Sequence, residues 1–222
     1  MSGKPLVLFG VGELAEVAAY YFKSDGGRQI AGFSVDAAHM KETSFLGRPV
    51  IPFEAVPDTL PPASHDLFVA VGYSRLNGLR QEKCEAARAK GYSLASYISP
   101  RASVANNATF GWNAFILENN TVQPFVKIGN GVTLWSGNHI GHHAVVADYV
   151  FIASHVVISG GVTVGERTFI GVNATINDHI SIGARCVIGS GSLVTKSVAD
   201  EGVLSAEPAK LSPVPSRRLK GI

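Results

Sequence analysis

The sequence contains few charged residues and few cysteines, and each shortage excludes a class of protein. Charged residues make up 16% of the 222 residues, and the formal net charge is +2. Such a chain has no electrostatic signature of a protein that binds nucleic acid or a membrane surface. Its two cysteines, Cys84 and Cys186, lie far apart and form no CxxC pair. We therefore expect no disulfide framework and a reducing, cytoplasmic location.

The sequence also lacks long hydrophobic runs. The apolar stretch 5–9 is too short for a membrane span or for the core of a signal peptide, so we expect no membrane insertion. Apolar residues nevertheless make up 46% of the chain, which indicates a globular protein rather than a disordered one. A chain of this length can form two modest domains or one elongated domain.

A six-residue repeat fills most of the second half of the chain. Large apolar residues recur at every sixth position from Val104 to Val194 without an insertion, and glycine often follows them. Each repeat predicts one short strand and one corner, and three repeats make a triangular coil with the apolar side chains stacked inside. Successive coils lie about 4.8 Å apart. The pattern therefore predicts a parallel β-helix, although it does not determine the handedness.

The first hundred residues alternate predicted strands and helices, which is typical of a small parallel α/β sheet. The predicted strands are 5–9, 29–35, 49–51, 66–71 and 92–98, and the predicted helical segments are 13–22, 53–56 and about 75–90. We therefore predict two domains, an α/β domain over residues 1–100 and a β-helix with a C-terminal tail over residues 101–222.

A glycine motif, Gly10-x-Gly12-x-x-Ala15, follows the first predicted strand and opens the first helix. Glycine lets the backbone approach a phosphate, and a helix N-terminus supplies free N–H groups and partial positive charge. Asp36 ends the second strand, where its carboxylate can reach a ribose or a base. The domain is about half the size of a dinucleotide-binding fold, so the motif predicts a site for a single nucleotide. A purely structural tight turn is the alternative.

Three further residues are predicted to lie at the same edge of the sheet. Gly72, Tyr73 and Arg75 follow the strand 66–71, and ligands of open α/β sheets bind at the carboxyl ends of the strands. We therefore include these residues in the predicted nucleotide site.

Five of the seven histidines fall between His139 and His179. His142 and His143 occupy the two outward positions that follow Ile140 in its repeat, where the core does not need them. They are candidate acid–base residues, and the alternative is that they are ordinary surface histidines. A zinc site is the rival chemistry, but zinc needs three or four converging ligands, and this cluster is too local for the widely spaced ligands of β-helical zinc enzymes. We predict no metal.

The hexads, the segment 9–12, the segment 140–143 and the segment 207–210 together resemble one known family. This family is the hexapeptide-repeat nucleotide-sugar acetyltransferases, which include sialic-acid O-acetyltransferases and bacillosamine and perosamine N-acetyltransferases. The resemblance covers nearly the whole chain and implies a left-handed β-helix, a homotrimer and acetyl-CoA as co-substrate.

The resemblance also implies roles for individual residues. It places the catalytic base at His142 and the neighbour that orients it at His143, where the family often has an acidic residue. It places acetyl-CoA contacts at Phe151, Gly160, Val172 and Ser190. It adds Glu13 and Leu14 to the nucleotide-sugar site, with Leu14 standing where the family usually has histidine.

The expected function is acetyl transfer from acetyl-CoA to the amino group of a nucleotide-linked amino sugar of the 4-amino-4,6-dideoxy type. The first alternative is O-acetylation of a sugar of the sialic-acid type, which would use the same base. Two alternatives from other classes are a zinc enzyme of the γ-carbonic-anhydrase type and a nucleotide-binding protein without catalytic activity.

Overall fold

The computed structural model describes residues 3–218, and the N-terminal part is a five-stranded sheet with the order β3-β4-β2-β1-β5. All of its strand pairs are parallel except β3–β4. Its elements are β1 (Leu6–Phe9), α1 (Glu13–Ser24), β2 (Ile30–Val35), β3 (Ser44–Phe45), β4 (Arg48–Pro52), α2 (Val56–Thr59), β5 (Asp66–Val69) and α3 (Gly78–Ala89). A short 3-10 helix, Ala37–His39, follows β2.

The α/β domain differs from the sequence prediction in the bounds of two helices, in the last predicted strand and in β3, which was not predicted. The long helix α3 begins at Gly78 rather than near residue 75, because the residues just before it have a left-handed backbone that an α-helix cannot include. The short helix α2 covers residues 56–59 rather than 53–56. In the predicted strand 92–98, only Leu94 bridges to Leu67 of this sheet.

The rest of the chain forms three parallel sheets that are the faces of a β-helix. The first face consists of β7 (Ser103–Val104), β10 (Thr121–Val122), β13 (His139–Ile140), β16 (Val157–Ile158), β19 (Thr175–Ile176) and β22 (Leu193–Val194). The second face consists of β8 (Thr109–Phe110), β11 (Lys127–Ile128), β14 (Val145–Val146), β17 (Thr163–Val164) and β20 (Ser181–Ile182). The third, which we call the domain face, consists of β6 (Tyr97–Ile98), β9 (Phe115–Ile116), β12 (Thr133–Leu134), β15 (Phe151–Ile152), β18 (Phe169–Ile170), β21 (Val187–Ile188) and β23 (Val203–Leu204). The first coil thus begins at Tyr97, within the range assigned above to the α/β domain.

The six-residue repeat determines both the core and the corners. Residues eighteen apart pair between coils, as Val122 does with Ile140 and Ile140 with Ile158, and their side chains are buried. From Phe110 to Ile188, the third residue after each inward residue turns the corner with positive φ, for example 60° at His143 and 59° at His155. This arrangement confirms the predicted β-helix of hexapeptide repeats.

The α/β domain packs against the domain face of the β-helix. Phe115 on that face contacts Phe68 of β5 at a ring-centroid distance of 5.3 Å, and Tyr97 contacts Phe22 of α1 at 5.7 Å. These rings belong to one buried cluster that spans both domains. Since this interface is apolar and continuous, it fixes the position of the α/β domain on the β-helix. Within residues 3–218, no helix is long and apolar enough to cross a membrane.

Candidate active site

His142 and His143 lie on one corner of the triangular coil, between the first face and the second face. We call this the histidine corner and define it by residues 124–125, 142–143, 160–161 and 178–179, which are stacked coil on coil. In a triangular coil, this corner is opposite the domain face. The histidine corner therefore lies across the β-helix from the α/β domain of the same chain.

The His142 imidazole leans toward the next coil and covers Gly160. A Cβ at position 160 would lie 2.5 Å from Cε1 and 2.6 Å from Nε2 of His142, so only glycine leaves room for the ring in this position. The backbone N–H of His142 donates a 2.8 Å hydrogen bond to Gln123 Oε1, which fixes the turn below the ring. His142 is exposed, so its Nε2 edge is accessible to a ligand.

His143 forms a hydrogen bond with the Nδ1 atom of His142. The two Nδ1 atoms are 3.1 Å apart, and the His143 ring is stacked on Phe125 with a centroid distance of 4.6 Å and an angle of 28°. One Nδ1 must carry the hydrogen and the other must accept it. In the tautomer with the hydrogen on His142 Nδ1, the lone pair of His142 is on Nε2, the geometry that a general base requires.

Of the other three histidines, only His179 lies on the histidine corner, two coils beyond His143. His139 is half-buried on the first face, and His155 lies on the corner between the domain face and the first face. Among residues 3–218, no group of three or more histidine, cysteine or acidic side chains is arranged to hold a metal ion.

The predicted glycine motif is at the carboxyl end of β1. Gly10 has φ of 126°, and a Cβ there would lie 2.8 Å from the carbonyl oxygen of Ala70, so the fold itself requires this glycine. Gly12 precedes the first turn of α1 with an ordinary backbone, and a Cβ there would meet no atom within 4 Å. The fold therefore does not require glycine at position 12. Space for a bound ligand can explain why a glycine is there.

The two residues after Gly12 have different environments. Glu13 is exposed in the first turn of α1. Leu14 is partly buried and packs against the cluster that joins the two domains.

Asp36 is already paired. Lys83 Nζ donates a 2.8 Å hydrogen bond to Asp36 Oδ1 and lies 2.8 Å from Oδ2, and it also lies 5.6 Å from the centroid of the Phe9 ring. Burial lowers the pKa of Lys83, but the hydrogen bonds to Asp36 and Glu82 outweigh it and raise that pKa above its usual value. A ligand at this edge would therefore meet a neutralised carboxylate–ammonium pair rather than a free carboxylate.

Gly72, Tyr73 and Arg75 begin a loop that is attached to the β-helix. The Tyr73 ring lies against Phe151 and Phe169 of the domain face, with centroid distances of 5.2 and 5.0 Å. Arg75 forms an ion pair with Glu82.

The same loop carries unusual backbone strain. Arg75, Leu76 and Asn77 have φ of 53°, 50° and 62°, and each left-handed residue costs about 1–2 kcal/mol. Arg167 offsets this cost by donating to the carbonyls of Leu76 and Arg75, each at 3.2 Å. Asn77 Nδ2 donates in return to the Arg167 carbonyl at 2.8 Å. Strain of this kind concentrates at functional sites.

Arg80 of α3 connects this loop to the β-helix, and the sequence analysis did not identify it. Its guanidinium is buried and donates to the carbonyls of Gly72, Gly131 and Tyr149, each at 2.8 Å. Burial lowers its pKa to about 10, so it stays charged at neutral pH. Arg80 therefore anchors this edge of the α/β sheet to the β-helix.

The four predicted acetyl-CoA contacts are not brought together in one chain. Gly160 is under His142. Phe151 is buried on the domain face, on the other side of the coil. Val172 and Ser190 are exposed and one coil apart on the corner between the domain face and the first face.

The sequence analysis also missed Gln123 and Phe125, which hold His142 and His143. A signal for Phe125 exists, because it precedes His143 by eighteen residues, the length of one coil. The same spacing connects Gly160 with His142.

One cavity of the α/β domain lies beside the predicted nucleotide site, and a larger one lies away from it. A cavity of about 230 Å³ adjoins the glycine motif and is lined by Val11, Val35, His39, Lys41, Glu42, Phe45 and Val50. A larger cavity of about 530 Å³ lies between α1 and the β3–β4 hairpin. None of the predicted site residues lines the larger cavity.

The β-helix matches the family model "Bacterial transferase hexapeptide (six repeats)" over residues 125–160 and 161–196. A search of curated protein sequences found no match. The chain thus contains the hexapeptide repeats of bacterial transferases, as predicted.

Solved structures match nearly the full chain. A histidine-to-asparagine variant of perosamine N-acetyltransferase from Caulobacter crescentus, in complex with CoA and GDP-perosamine, is 27% identical, with 95% of this chain and 97% of that chain covered and a TM-score of 0.83. PerB from the same organism, with the same ligands, is 28% identical, with 94% and 97% covered and a TM-score of 0.82. The acetyltransferase domain of PglB from Neisseria gonorrhoeae, in complex with acetyl coenzyme A, is 25% identical, with 94% and 99% covered and a TM-score of 0.82. These similarities confirm the predicted fold, an α/β domain followed by a left-handed β-helix, and the predicted resemblance to sugar acetyltransferases.

Proposed function

We propose that this chain transfers the acetyl group of acetyl-CoA to the amino group of a nucleotide-linked amino sugar of the 4-amino-4,6-dideoxy type. The main observation is the histidine corner, where an exposed imidazole is held at one nitrogen and free at the other. The similar structures support the substrate class, because their ligands are CoA or acetyl-CoA, with GDP-perosamine in two of them.

His142 acts as the general base. Its Nδ1–H donates to His143, and its Nε2 takes the proton of the amine as the nitrogen attacks the thioester carbonyl carbon. An imidazole suits this role because its usual pKa, about 6.5, is near neutral pH. His143 orients the ring where the family often uses a carboxylate. A neutral imidazole fixes the tautomer, but it supplies no negative charge to stabilise the imidazolium of His142.

The backbone of Gly160 supports stabilisation of the oxyanion. Its N–H has no acceptor among residues 3–218, and it belongs to the residue that the His142 ring covers. An N–H group that is already oriented stabilises the charge that develops on a carbonyl oxygen. Gly160 therefore combines two roles, since it makes room for the base and donates to the oxyanion.

The nucleotide lies at the carboxyl edge of the α/β sheet. The Gly12 backbone and the N-terminus of α1 hold the phosphates, and the loop that contains Tyr73 and Arg75 borders the same edge. Asp36, paired with Lys83, is placed for a polar contact to the ribose or the base.

The position of the histidine corner supports the predicted trimer. The α/β domain covers the face opposite His142, so a sugar held by one domain has the β-helix between it and the base of its own chain. A neighbouring copy can present its histidine corner instead. We therefore propose a symmetric homotrimer in which nucleotide site and base come from different chains, with acetyl-CoA between adjacent β-helices.

The test is an assay of CoA release from acetyl-CoA with GDP-, UDP- and dTDP-linked 4-amino sugars. His142→Ala and His142→Asn should each lower kcat by about a hundredfold or more, with KM for both substrates nearly unchanged, because a base contributes mainly in the transition state. His143→Ala should cost less. The control is His139→Ala, in the neighbouring strand of the first face rather than at the corner, which should cost little.

Two results would redirect the proposal. Transfer to a sialic-acid hydroxyl but to no amino sugar would establish the O-acetyltransferase alternative. Full activity of both His142 variants would show that the histidine corner is not the catalytic site.

A further inference from the structure

A histidine–aspartate pair, His179 with Asp178, occupies the histidine corner two coils beyond His142 and His143. His179 follows His143 by thirty-six residues, which is two coils, and it has the same left-handed backbone, with φ of 58°. Its Nδ1 lies 3.1 Å from Oδ2 of Asp178. That hydrogen bond lowers the pKa of the Asp178 carboxyl, which therefore stays ionised.

His142 and His179 approach the same two glycines from opposite sides. The His142 ring covers Gly160 from the preceding coil, and the His179 ring covers Gly161 from the following coil. A Cβ at position 161 would lie 2.8 Å from Cδ2 and 3.0 Å from Nε2 of His179. The backbone is continuous between them, since Gly161 N–H donates to the His142 carbonyl and His179 N–H donates to the Gly160 carbonyl, each at 2.9 Å. A reacting group above the two glycines would therefore have an imidazole Nε2 on each side.

We propose that His179, oriented by Asp178, is the general acid that protonates the CoA sulfur as it leaves. This role rests on the proposed acetyl transfer. The amine nitrogen bonds to the carbonyl carbon and gives its proton to His142 Nε2. The carbon–sulfur bond then breaks, and the sulfur takes the proton from Nε2 of the His179 imidazolium. Solvent returns a proton to His179 and removes one from His142.

The geometry favours a separate acid. Asp178 accepts the Nδ1–H of His179, so the second proton of the imidazolium is on Nε2, the edge near Gly161. His142 takes its proton from the amine during the attack, and the second imidazole is the group that lies on the other side of the two glycines. The remaining titratable groups of this corner are His143, bonded to His142, and Lys196, one coil beyond Asp178.

The alternative is a surface ion pair without catalytic function, since both side chains are more than two-thirds exposed. His155 provides a matched control. It has the same position in its repeat, with φ of 59°, and its ring covers Gly137 with the Nδ1 and Cε1 edge, but it lies on a different corner. Asparagine is suitable at all such positions because it tolerates positive φ.

The experiment compares the pH profiles of kcat for the wild type, His179→Asn, Asp178→Asn and His155→Asn, with acetyl-CoA and the amino sugar that proves active. His179→Asn should lower kcat about a hundredfold and abolish the alkaline limb of the profile, while the acidic limb due to His142 remains. Asp178→Asn should move the alkaline limb to lower pH. His155→Asn should match the wild type.

An alkaline limb that persists unchanged in His179→Asn would overturn this inference, as would an equal loss in His155→Asn. In either case, inactive His142 variants would leave the proposed acetyl transfer intact. Full activity of the His142 variants would instead reject the proposed function itself.

Discussion

Replacing Gly160 by alanine should displace the His142 imidazole without unfolding the β-helix. The equivalent position of every other repeat holds a residue with a side chain, so the fold does not require glycine there. These residues are Asn106, Trp112, Glu118, Pro124, Asn130, Ser136, His142, Asp148, Ser154, Glu166, Val172, Asp178, Ala184, Ser190 and Lys196. The backbone of Gly160 is also not in the left-handed region. The glycine is explained instead by the ring that covers it.

The size of the expected loss of activity follows from the distances between the new Cβ and the His142 ring. The new Cβ would be 2.5 Å from Cε1 and 2.6 Å from Nε2 of His142, whereas ordinary contact begins at 3.4 Å. The ring must therefore move by nearly 1 Å, and a misplacement of that size can lower a rate about a hundredfold. Because His142 is exposed, the ring can rotate into solvent, so the free energy of unfolding should change by less than about 1 kcal/mol.

The measurements are kcat, both KM values and the midpoint of urea unfolding, for Gly160→Ala and for Ser154→Ala. Ser154 has the same position in its six-residue repeat as Gly160 but lies on a different corner. Its variant should therefore match the wild type in every measurement. A Gly160→Ala variant that unfolds normally and keeps kcat within twofold would refute the argument, because the position of His142 would then not matter for turnover.

Three other predictions concern the nucleotide edge and the assembly. Gly12→Leu should raise KM for the nucleotide sugar and leave KM for acetyl-CoA unchanged in steady-state kinetics, because the added side chain fills only ligand space; equal increases in both would mean that Gly12 has a structural role. Arg80→Met should lower the free energy of unfolding by at least about 2 kcal/mol in urea titrations, since three buried carbonyls lose a charged donor; an unchanged midpoint would contradict the proposed anchoring role. Light scattering should give three times the mass of one chain, and a stable monomer at micromolar concentration would contradict the shared site.

The β-helix could be predicted because its signal is repeated. Each large apolar residue of the hexads points inward, and the pairing of Val122 with Ile140 and of Ile140 with Ile158 follows from the eighteen-residue coil. The first strand of the β-helix, Tyr97–Ile98, was assigned to the α/β domain instead, because its sequence also suits the edge of a parallel sheet. Only pairing with Phe115–Ile116 distinguishes the two assignments, and pairing is a tertiary property.

In the α/β domain, two features could not be predicted from the sequence because they depend on distant parts of the chain. The helical pattern extends back to residue 75, but the three left-handed residues before Gly78 end it there. Nothing in the local sequence indicates this turn, since its stabilising partner, Arg167, is ninety-two positions beyond Arg75. The role of Arg80 could not be predicted either. A charged residue in a helix predicts a solvated face, and the carbonyl partners of Arg80 come from three separate turns.

The orientation of the histidine pair depends on the residue one coil before His143. Three rings at the left-handed corner position, those of Tyr149, His155 and His179, lean over a glycine one coil earlier, which is Gly131, Gly137 or Gly161. Glycine at the earlier position lets each of these rings lie against the backbone. His143 follows Phe125 instead, so the space above the backbone is filled, and its ring stacks on the phenyl group. In this stacked position, the Nδ1 of His143 lies 3.1 Å from that of His142. The orientation of the base therefore depends on an aromatic residue eighteen positions before its partner, which no motif around the histidines contains.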